Sequence, residues 1–345
     1  MRHRSLTSRL LAATLVLVGG LSLLVAQATA HRGDRDDRRG ERPRPHRVTD
    51  YIVPGATAFP EGIAVERRGR VHHFFVSSVG TGAIFRGRPG KAELREFLPA
   101  GGDGRTSTVG LGVDQRRGRL IVAGGASGTI WVYSIRSKRL LAKFETGPGG
   151  FINDVAVSRR GDVYLTDSIR PVLWKITEDQ IDDADGATIV IPPFITFGPE
   201  AEYGPGFNAN GIVLARNKRV LLIVNSRVGK LLRVHLPSRT TTQVDLGGAT
   251  VVNGDGLVLL GRKLLVIRNR DAKIDVVKLR KNLRKGRVVG SITDPRFRFP
   301  TTGAVLGRKL LVVNGQLDQQ GGSPVLPFTV SVLGSHDRGH HRGRK

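Results

Sequence analysis

The chain has no cysteine, one methionine and only 6% aromatic residues among its 345 residues. The absence of cysteine excludes a disulfide scaffold, a zinc finger and a thiol nucleophile. Acidic residues are also scarce, with 29 Asp and Glu against 55 Lys and Arg, so the formal net charge is +26. A hydrophobic fraction of 39% with 24% charged residues nevertheless excludes a wholly disordered polyelectrolyte.

The excess of positive charge raises nucleic acids and anionic polymers as partners. Residues 48–335 keep a net charge of +17, from 41 basic and 24 acidic side chains. Basic pairs such as Arg116-Arg117 and Arg159-Arg160 recur at turns, where solvated residues are common. No run of aromatic residues interleaves with them as a base-stacking platform requires, which disfavours nucleic-acid binding.

Both ends of the chain differ in composition from its centre. Residues 1–30 are predicted to be a Sec-type signal peptide, since three arginines precede the apolar stretch 10–26 and Ala28-Thr29-Ala30 forms a cleavage site. A single-pass anchor is the alternative, disfavoured by Gly19-Gly20 within that stretch. Segments 31–47 and 335–345 are predicted to be disordered basic flanks. We therefore expect a secreted, extracellular monomer, cleaved near Ala30, with no transmembrane segment in the mature chain.

A repeat dominates the sequence between these flanks. Six segments run apolar-x-apolar, then a basic turn, then a second β-rich stretch, and they begin at residues 62, 110, 154, 211, 256 and 303. The spacings of 48, 44, 57, 45 and 47 residues, with about four strands in each unit, are typical of β-propeller blades. The spacing of 57 indicates an insertion at 178–205, expected to form a loop on one face, with a short helix at 178–184.

The predicted fold is an all-β, six-bladed β-propeller over residues 48–334. The sixth unit has one strand too few, whereas the stretch 48–53 precedes the first unit and belongs to none. We expect this N-terminal strand to complete the last blade, because ring closure removes exposed sheet edges.

The repeat register places six equivalent residues at the mouth of the central channel. They are Glu61, Val109, Asn153, Asn210, Asp255 and Thr302. Two carboxylates and two carboxamides among them supply the oxygen donors that hard cations prefer, which predicts a calcium site on the axis. The alternative is that Glu-Gly, Asn-Gly and Asp-Gly are ordinary turn dipeptides. Val109 argues against this alternative. The second repeat has an apolar residue at this position, so a turn there does not require a polar one.

Several short motifs occur in order along the repeats. They are Pro60-Glu61-Gly62-Ile63, Phe151-Ile152-Asn153-Asp154, Asn208-Ala209-Asn210-Gly211, Asn253-Gly254-Asp255-Gly256 and Asp294-Pro295-Arg296-Phe297. Together they resemble the gluconolactonase / senescence-marker-protein family of six-bladed propellers, in its secreted bacterial form. The resemblance extends over roughly residues 50–333.

The resemblance implies one divalent cation, usually calcium, held by Glu61, Asn210 and Asp255, with Asn153 contacting metal or substrate. It also implies that Asp255 is the general base in metal-dependent hydrolysis of a lactone or small ester. Arg105, Arg170 and Arg227 are the candidate substrate-binding arginines. The competing interpretation is a non-catalytic binding propeller that attaches to anionic cell-wall or matrix polymers.

Overall fold

The computed structural model describes residues 48–67, 72–215 and 219–334. The predicted signal peptide and both predicted basic flanks lie outside these residues, so those predictions remain open. The first strand is β1 (Asp50–Val53), and it is followed by a four-stranded antiparallel sheet, blade one. Its strands are β2 (Pro60–Glu66), β3 (His73–Ser78), β4 (Ile84–Arg88) and β5 (Lys91–Leu98).

Blades two and three follow in the same pattern, with each strand paired to the next in sequence. Blade two contains β6 (Leu111–Asp114), β7 (Arg119–Ala123), β8 (Thr129–Ser134) and β9 (Leu140–Glu145). Blade three contains β10 (Ile152–Val157), β11 (Val163–Asp167) and β12 (Val172–Ile176), and the segment that follows holds α1 (Glu178–Asp182), β13 (Thr188–Val190) and β14 (Ile195–Thr196).

Blades four, five and six complete the ring. Blade four contains β15 (Ala209–Leu214), β16 (Val220–Asn225), β17 (Lys230–His235) and β18 (Thr240–Gln243). Blade five contains β19 (Gly254–Leu260), β20 (Lys263–Arg268), β21 (Lys273–Leu279) and β22 (Gly286–Thr293). Blade six contains β23 (Pro300–Leu306), β24 (Lys309–Asn314) and β25 (Phe328–Leu333), and short 3₁₀ turns occur at Gly102–Gly104, Pro199–Ala201 and Leu317–Gln319.

The prediction that the N-terminal strand closes the ring is confirmed. Strand β1 pairs antiparallel with β25, and Tyr51 lies opposite Val330. Blade six is therefore built from β23, β24, β25 and β1, and the innermost strands of blades one and six are in contact. The chain is a six-bladed β-propeller.

The apolar core consists of six clusters, and each cluster lies between two adjacent blades. The second strand of each blade is almost continuously apolar. Its side chains alternate between two faces, and each face is buried against an adjacent blade. In β16, for example, Leu222 packs toward blade five and Leu221 toward blade three. Both faces of such a strand are buried, so the core is distributed around the ring rather than enclosed by a single sheet.

The insertion at 178–205 forms more than the expected loop. Helix α1 lies within the predicted helical stretch and begins with a capping box in which Thr177 and Gln180 bond each other's main chain. Strand β13 adds to blade two parallel to β9, and β14 is the outer strand of blade three. Strands β13 and β14 thus lie at the outer edge of the ring, whereas the end of the insertion reaches the axial pocket at Pro205.

Candidate functional site

β-Bulges determine where the predicted site residues point. In five of the six blades the pairing between the first and second strands shifts register within the first few residues. Glu61, Asn153, Asn210 and Asp255 all lie within these irregular stretches. Because a bulge bends the strand and redirects side chains, the repeated irregularity turns these residues toward the channel.

The glycines that follow the site residues reflect the close approach of neighbouring blades. A Cβ atom on Gly211 would lie 2.2 Å from the Asp255 carbonyl oxygen, and one on Gly62 would lie 2.3 Å from the Val109 carbonyl oxygen. Neither glycine is in the left-handed region of backbone conformation. The dipeptides are therefore parts of strands at a crowded axis and not turns, contrary to the alternative interpretation of the sequence.

Hydroxyl groups from one blade hold the main chain of the next blade at these bulges. Thr166 Oγ1 donates to the carbonyl oxygen of Asn210 at 2.7 Å, and Ser168 Oγ donates to that of Ala209 at 2.7 Å. Thr301 Oγ1 donates in the same way to the carbonyl oxygen of Glu61 at 2.8 Å. The site residues are thus fixed from both sides by hydrogen bonds that the apolar repeat pattern does not reveal.

The four predicted cation ligands lie together in one pocket of about 540 Å³. Glu61, Asn153, Asn210 and Asp255 are each no more than 6% exposed. Two of their oxygens, Glu61 Oε2 and Asn153 Oδ1, are buried without a hydrogen-bond partner. The Asn153 amide nitrogen donates to Ser168 Oγ at 2.8 Å, which orients the carboxamide and leaves its oxygen free.

The carboxylate of Asp255 is held by two carboxamides. Asn269 Nδ2 donates to Asp255 Oδ2 at 2.8 Å, and the Asn210 side chain also bonds this carboxylate. Burial nevertheless raises the pKa of Asp255 to about 7. Burial also raises the pKa of Glu61 well above its usual range, with further contributions from the charges of Asp255 and Asp154.

Asp154 is a third carboxylate at the axis that the sequence analysis did not assign to the site. It occupies the position that is glycine in the other five repeats, and burial raises its pKa to about 6. Its oxygens accept from the main-chain N–H of Val155 at 2.8 Å and from that of Ile212 in the next blade at 3.0 Å. The replacement of glycine by aspartate at this one repeat position was the signal that could have identified Asp154.

The three candidate arginines have different positions. Arg227 lines the axial pocket, and its Nε donates to Asn208 Oδ1 at 3.2 Å. Arg105 is fully buried outside the pocket, where it bonds Tyr133, Asp103 and main-chain carbonyls.

Arg170 also lies outside this pocket. It pairs with Asp167 at 2.8 Å and stacks on Trp174. Arg105 cannot contact a ligand in the pocket, because it is buried and its guanidinium group is already hydrogen-bonded. Arg170 stabilises the contact between blades two and three.

The remaining wall of the pocket is mostly apolar, and most of its residues lie outside the repeat pattern. Its members come from loops at the same end of the ring: Val79, Val109, Phe151, Phe207, Phe299 and Leu317. A second arginine, Arg270, lies at the rim after β20, in the place that Arg227 takes after β16. Val109 belongs to the repeat register, but loop residues such as Val79 and Phe207 lie outside it, so only the folded chain reveals their convergence.

The donor set is suited to a hard cation. Within the described residues no group of three His, Cys, Asp or Glu side chains is arranged to hold a metal ion, and none of the residues lining the axial pocket is histidine. A cation here would be held by two carboxylates and two carboxamides, which is the all-oxygen chemistry of calcium. The two unpartnered buried oxygens fit this group, because buried polar atoms are costly without a partner.

Comparison with known proteins supports the fold. No family model matches the chain, and no curated protein matches its sequence. Among solved structures, the chain is similar to the allergen Mala s 1 of Malassezia sympodialis, with 14% identity, a TM-score of 0.63, and coverage of 86% of this chain and 99% of that one.

Two further structures show the same architecture. One is a catalytically inactive histidine-to-alanine form of virginiamycin B lyase from Staphylococcus aureus with quinupristin, with 12% identity, a TM-score of 0.54, and coverage of 83% and 98%. The other is a chain of the nidogen/laminin complex, with 14% identity, a TM-score of 0.52, and coverage of 71% and 85%. At such low identity these similarities establish a β-propeller, and membership of the gluconolactonase family stays a prediction.

Within the described residues, no helix is both long enough and apolar enough to cross a membrane.

Proposed function

We propose that this propeller is a cation-dependent hydrolase that opens a lactone or cleaves a small ester in its axial pocket. The observation that carries the proposal is the pair of unpartnered oxygens, Glu61 Oε2 and Asn153 Oδ1, buried beside Asn210 and Asp255. Such an arrangement lowers the stability of the metal-free protein, which is typical of a site built to bind a ligand. The pocket volume of about 540 Å³ suits a small molecule.

Glu61, Asn153, Asn210 and Asp255 would hold the cation, and calcium is the choice that an all-oxygen set favours. When bound, the cation would supply Lewis-acid polarisation of the substrate carbonyl. Virginiamycin B lyase is described as inactive after replacement of one histidine, whereas the lining of this pocket contains none. The chemistry proposed here therefore depends on carboxylates.

Asp255 is the residue proposed to accept a proton from the attacking water. Asn269 and Asn210 hold its carboxylate, which restricts the orientation in which it can act as a base. Attack of the water oxygen on the carbonyl carbon would break the acyl C–O bond, and the proton taken by Asp255 would pass to the departing alkoxide. The product of a lactone is then a hydroxy acid, with no other reactant consumed.

The test is hydrolysis of a panel of lactones and esters by the purified protein in calcium and in chelator. We expect calcium-dependent activity that falls by at least about 100-fold in Asp255→Asn, the range usual for loss of a general base. Glu96→Gln is a matched control, since this exposed carboxylate lies on the outer strand β5. Activity that survives both chelation and Asp255→Asn would exclude the mechanism.

A second candidate, attachment to anionic cell-wall or matrix polymers, is favoured by a basic depression on blade one. Arg86, Arg88, Lys91 and Arg95 line a hollow of about 600 Å³ on strands β4 and β5, together with His73. Burial lowers the pKa of His73, and the charges of Arg86 and Arg88 lower it further against the opposing effect of Glu66.

Polymer binding through this hollow would weaken with salt and survive both chelation and Asp255→Asn. Arg88→Glu with Arg95→Glu should remove it while leaving hydrolysis intact. Sedimentation with an anionic polymer such as polygalacturonate distinguishes the two functions.

A further inference from the structure

The axial pocket combines a polar floor with a wall in which aromatic rings lie beside polar and charged residues. The floor holds the carboxylates and carboxamides of the inner strands, whereas three phenylalanine rings, Phe151, Phe207 and Phe299, contribute to the wall. Phe207 is 48% exposed, although burial of such a ring is normally favourable. Its exposure at a pocket mouth points to an apolar contact that the free protein does not complete.

Phe207 is presented by a rigid loop. The neighbouring Asn208 is fully buried, and its amide nitrogen donates to the carbonyl oxygens of Ser168, Gly204 and Gly206 at 3.1, 2.8 and 2.9 Å. The Phe207 ring packs edge-to-face against Phe151 with centroids 4.8 Å apart. Phe151 precedes Asn153 by two residues, and Phe207 precedes Asn210 by three. The two rings therefore belong to residues that lie close in sequence to two of the proposed cation ligands.

Phe299 supplies a third aromatic surface from the other side of the pocket. It precedes β23 with a φ of 47°, a left-handed conformation that is unfavourable for an aromatic residue. A hydrogen bond of 3.1 Å from Gly315 N to its carbonyl oxygen holds this conformation, and the Arg270 guanidinium lies 5.8 Å from the ring centroid. The ring is therefore positioned by the main chain and kept beside a rim arginine.

We propose that the pocket selects a lactone or ester bearing an apolar acyl or aromatic substituent, and that Phe207, Phe151 and Phe299 bind this substituent while the carbonyl group faces the polar floor. This inference rests on the proposed function. A sugar hydroxyl group that lies against one of the rings finds no hydrogen-bond partner in that ring, which is unfavourable. An alkyl chain in the same place gains from burial against them.

The experiment compares γ-dodecalactone with gluconolactone as substrates of the calcium-loaded protein. We expect kcat/KM for γ-dodecalactone to exceed that for gluconolactone. Phe207→Ser should raise KM for γ-dodecalactone about tenfold, as expected for partial loss of one apolar contact, and leave gluconolactone unaffected. Val190→Ser is the control, since Val190 is 72% exposed on β13, at the outer edge of blade two. A preference for gluconolactone, or an equal effect of Phe207→Ser on both substrates, overturns the inference.

A binding measurement separates this inference from the proposed function. The lactam that corresponds to γ-dodecalactone resists hydrolysis, so its affinity measured by calorimetry does not depend on catalysis. Saturable binding that Phe207→Ser weakens about tenfold supports the apolar site even if neither lactone is hydrolysed, in which case the proposed function alone fails. Absence of lactam binding, or binding that Phe207→Ser leaves unchanged, overturns the inference whatever the hydrolysis result.

Discussion

The two ends of each inner strand lie in the same ring, but their side chains differ in the contacts that they make with neighbouring blades. At one end, Glu61 and Asn153 are buried with oxygens that bond nothing. Farther along the same strands, Val65 and Val157 line the lower channel and pack against the clusters between blades. Both regions are crossed by the same inner strands, so the difference arises from the residue types and from the bulges at the site end.

This difference separates side chains that neighbouring blades satisfy from polar atoms that the protein leaves without a partner. Apolar side chains are satisfied by contact with adjacent blades, whatever occupies the channel. Buried carboxylates need a cation, a proton or a hydrogen-bond donor, and Glu61 Oε2 has no hydrogen-bond partner within the protein. The lower channel is thus satisfied by the protein itself, whereas at the upper site the proposed cation would supply the partner that Glu61 Oε2 and Asn153 Oδ1 lack.

The largest effect is expected where the inner strands touch beside the site. Gly211→Ala should lower the free energy of unfolding by about 3 kcal/mol, because the new Cβ meets the Asp255 carbonyl oxygen at 2.2 Å. Gly290→Ala is the control, since a Cβ there meets nothing within 4 Å on the outer strand β22. Urea unfolding of both variants measures the difference, and equal stabilities would show that the axis is not crowded.

A smaller change in the free energy of unfolding is expected when the pH is varied in the absence of divalent cations. Burial raises the pKa of Asp154 to about 6 and that of Asp255 to about 7, so the folded protein binds more protons than the unfolded chain between about pH 4 and 7. The free energy of unfolding should therefore fall as pH rises through this range, because the folded protein loses these bound protons. The lowered pKa values of Asp245 and Asp294 act below this range.

Thermal unfolding in calcium and in chelator at pH 5 and pH 8 tests the origin of this fall. The lowered pKa of His73 affects both solutions alike, so the calcium-dependent difference isolates the axial carboxylates. We expect calcium to raise the midpoint more at pH 8, where those groups are ionised. A calcium effect that is absent at both pH values contradicts the proposed site.

The smallest effect is expected from neutralising one site residue. Asp255→Asn should raise the free energy of unfolding of the metal-free protein at pH 8 by about 1 kcal/mol, since it removes a buried charge and keeps an oxygen to accept from Asn269. The same variant should lose the calcium-induced shift. Destabilisation in chelator would instead indicate that Asp255 has a purely structural role, like the buried residues of the lower channel.

Much of the candidate site could be predicted because the repeat is regular. Equivalent positions in a closed ring converge on one axis, so Glu61, Asn153, Asn210 and Asp255 could be placed together although they are far apart in sequence. Asp154 could have been predicted in the same way, because it is the one residue that replaces glycine at its position in the six repeats. Phe207 could not, because it comes from a loop whose path the repeat does not specify, whereas Arg270 occupies the repeat position of Arg227 and was missed.

The sequence by itself determined the number of blades, the closing role of the first strand and the residue types at the axis. These follow from periodicity and chain order, which local patterns of apolar and turn residues record. Only the tertiary structure decided that Arg105 is buried, that Arg227 reaches the pocket and that three carboxylates share one poorly solvated channel. Burial, loop paths and pKa values depend on what the rest of the chain places around a residue, and that arrangement exists only once the ring has closed.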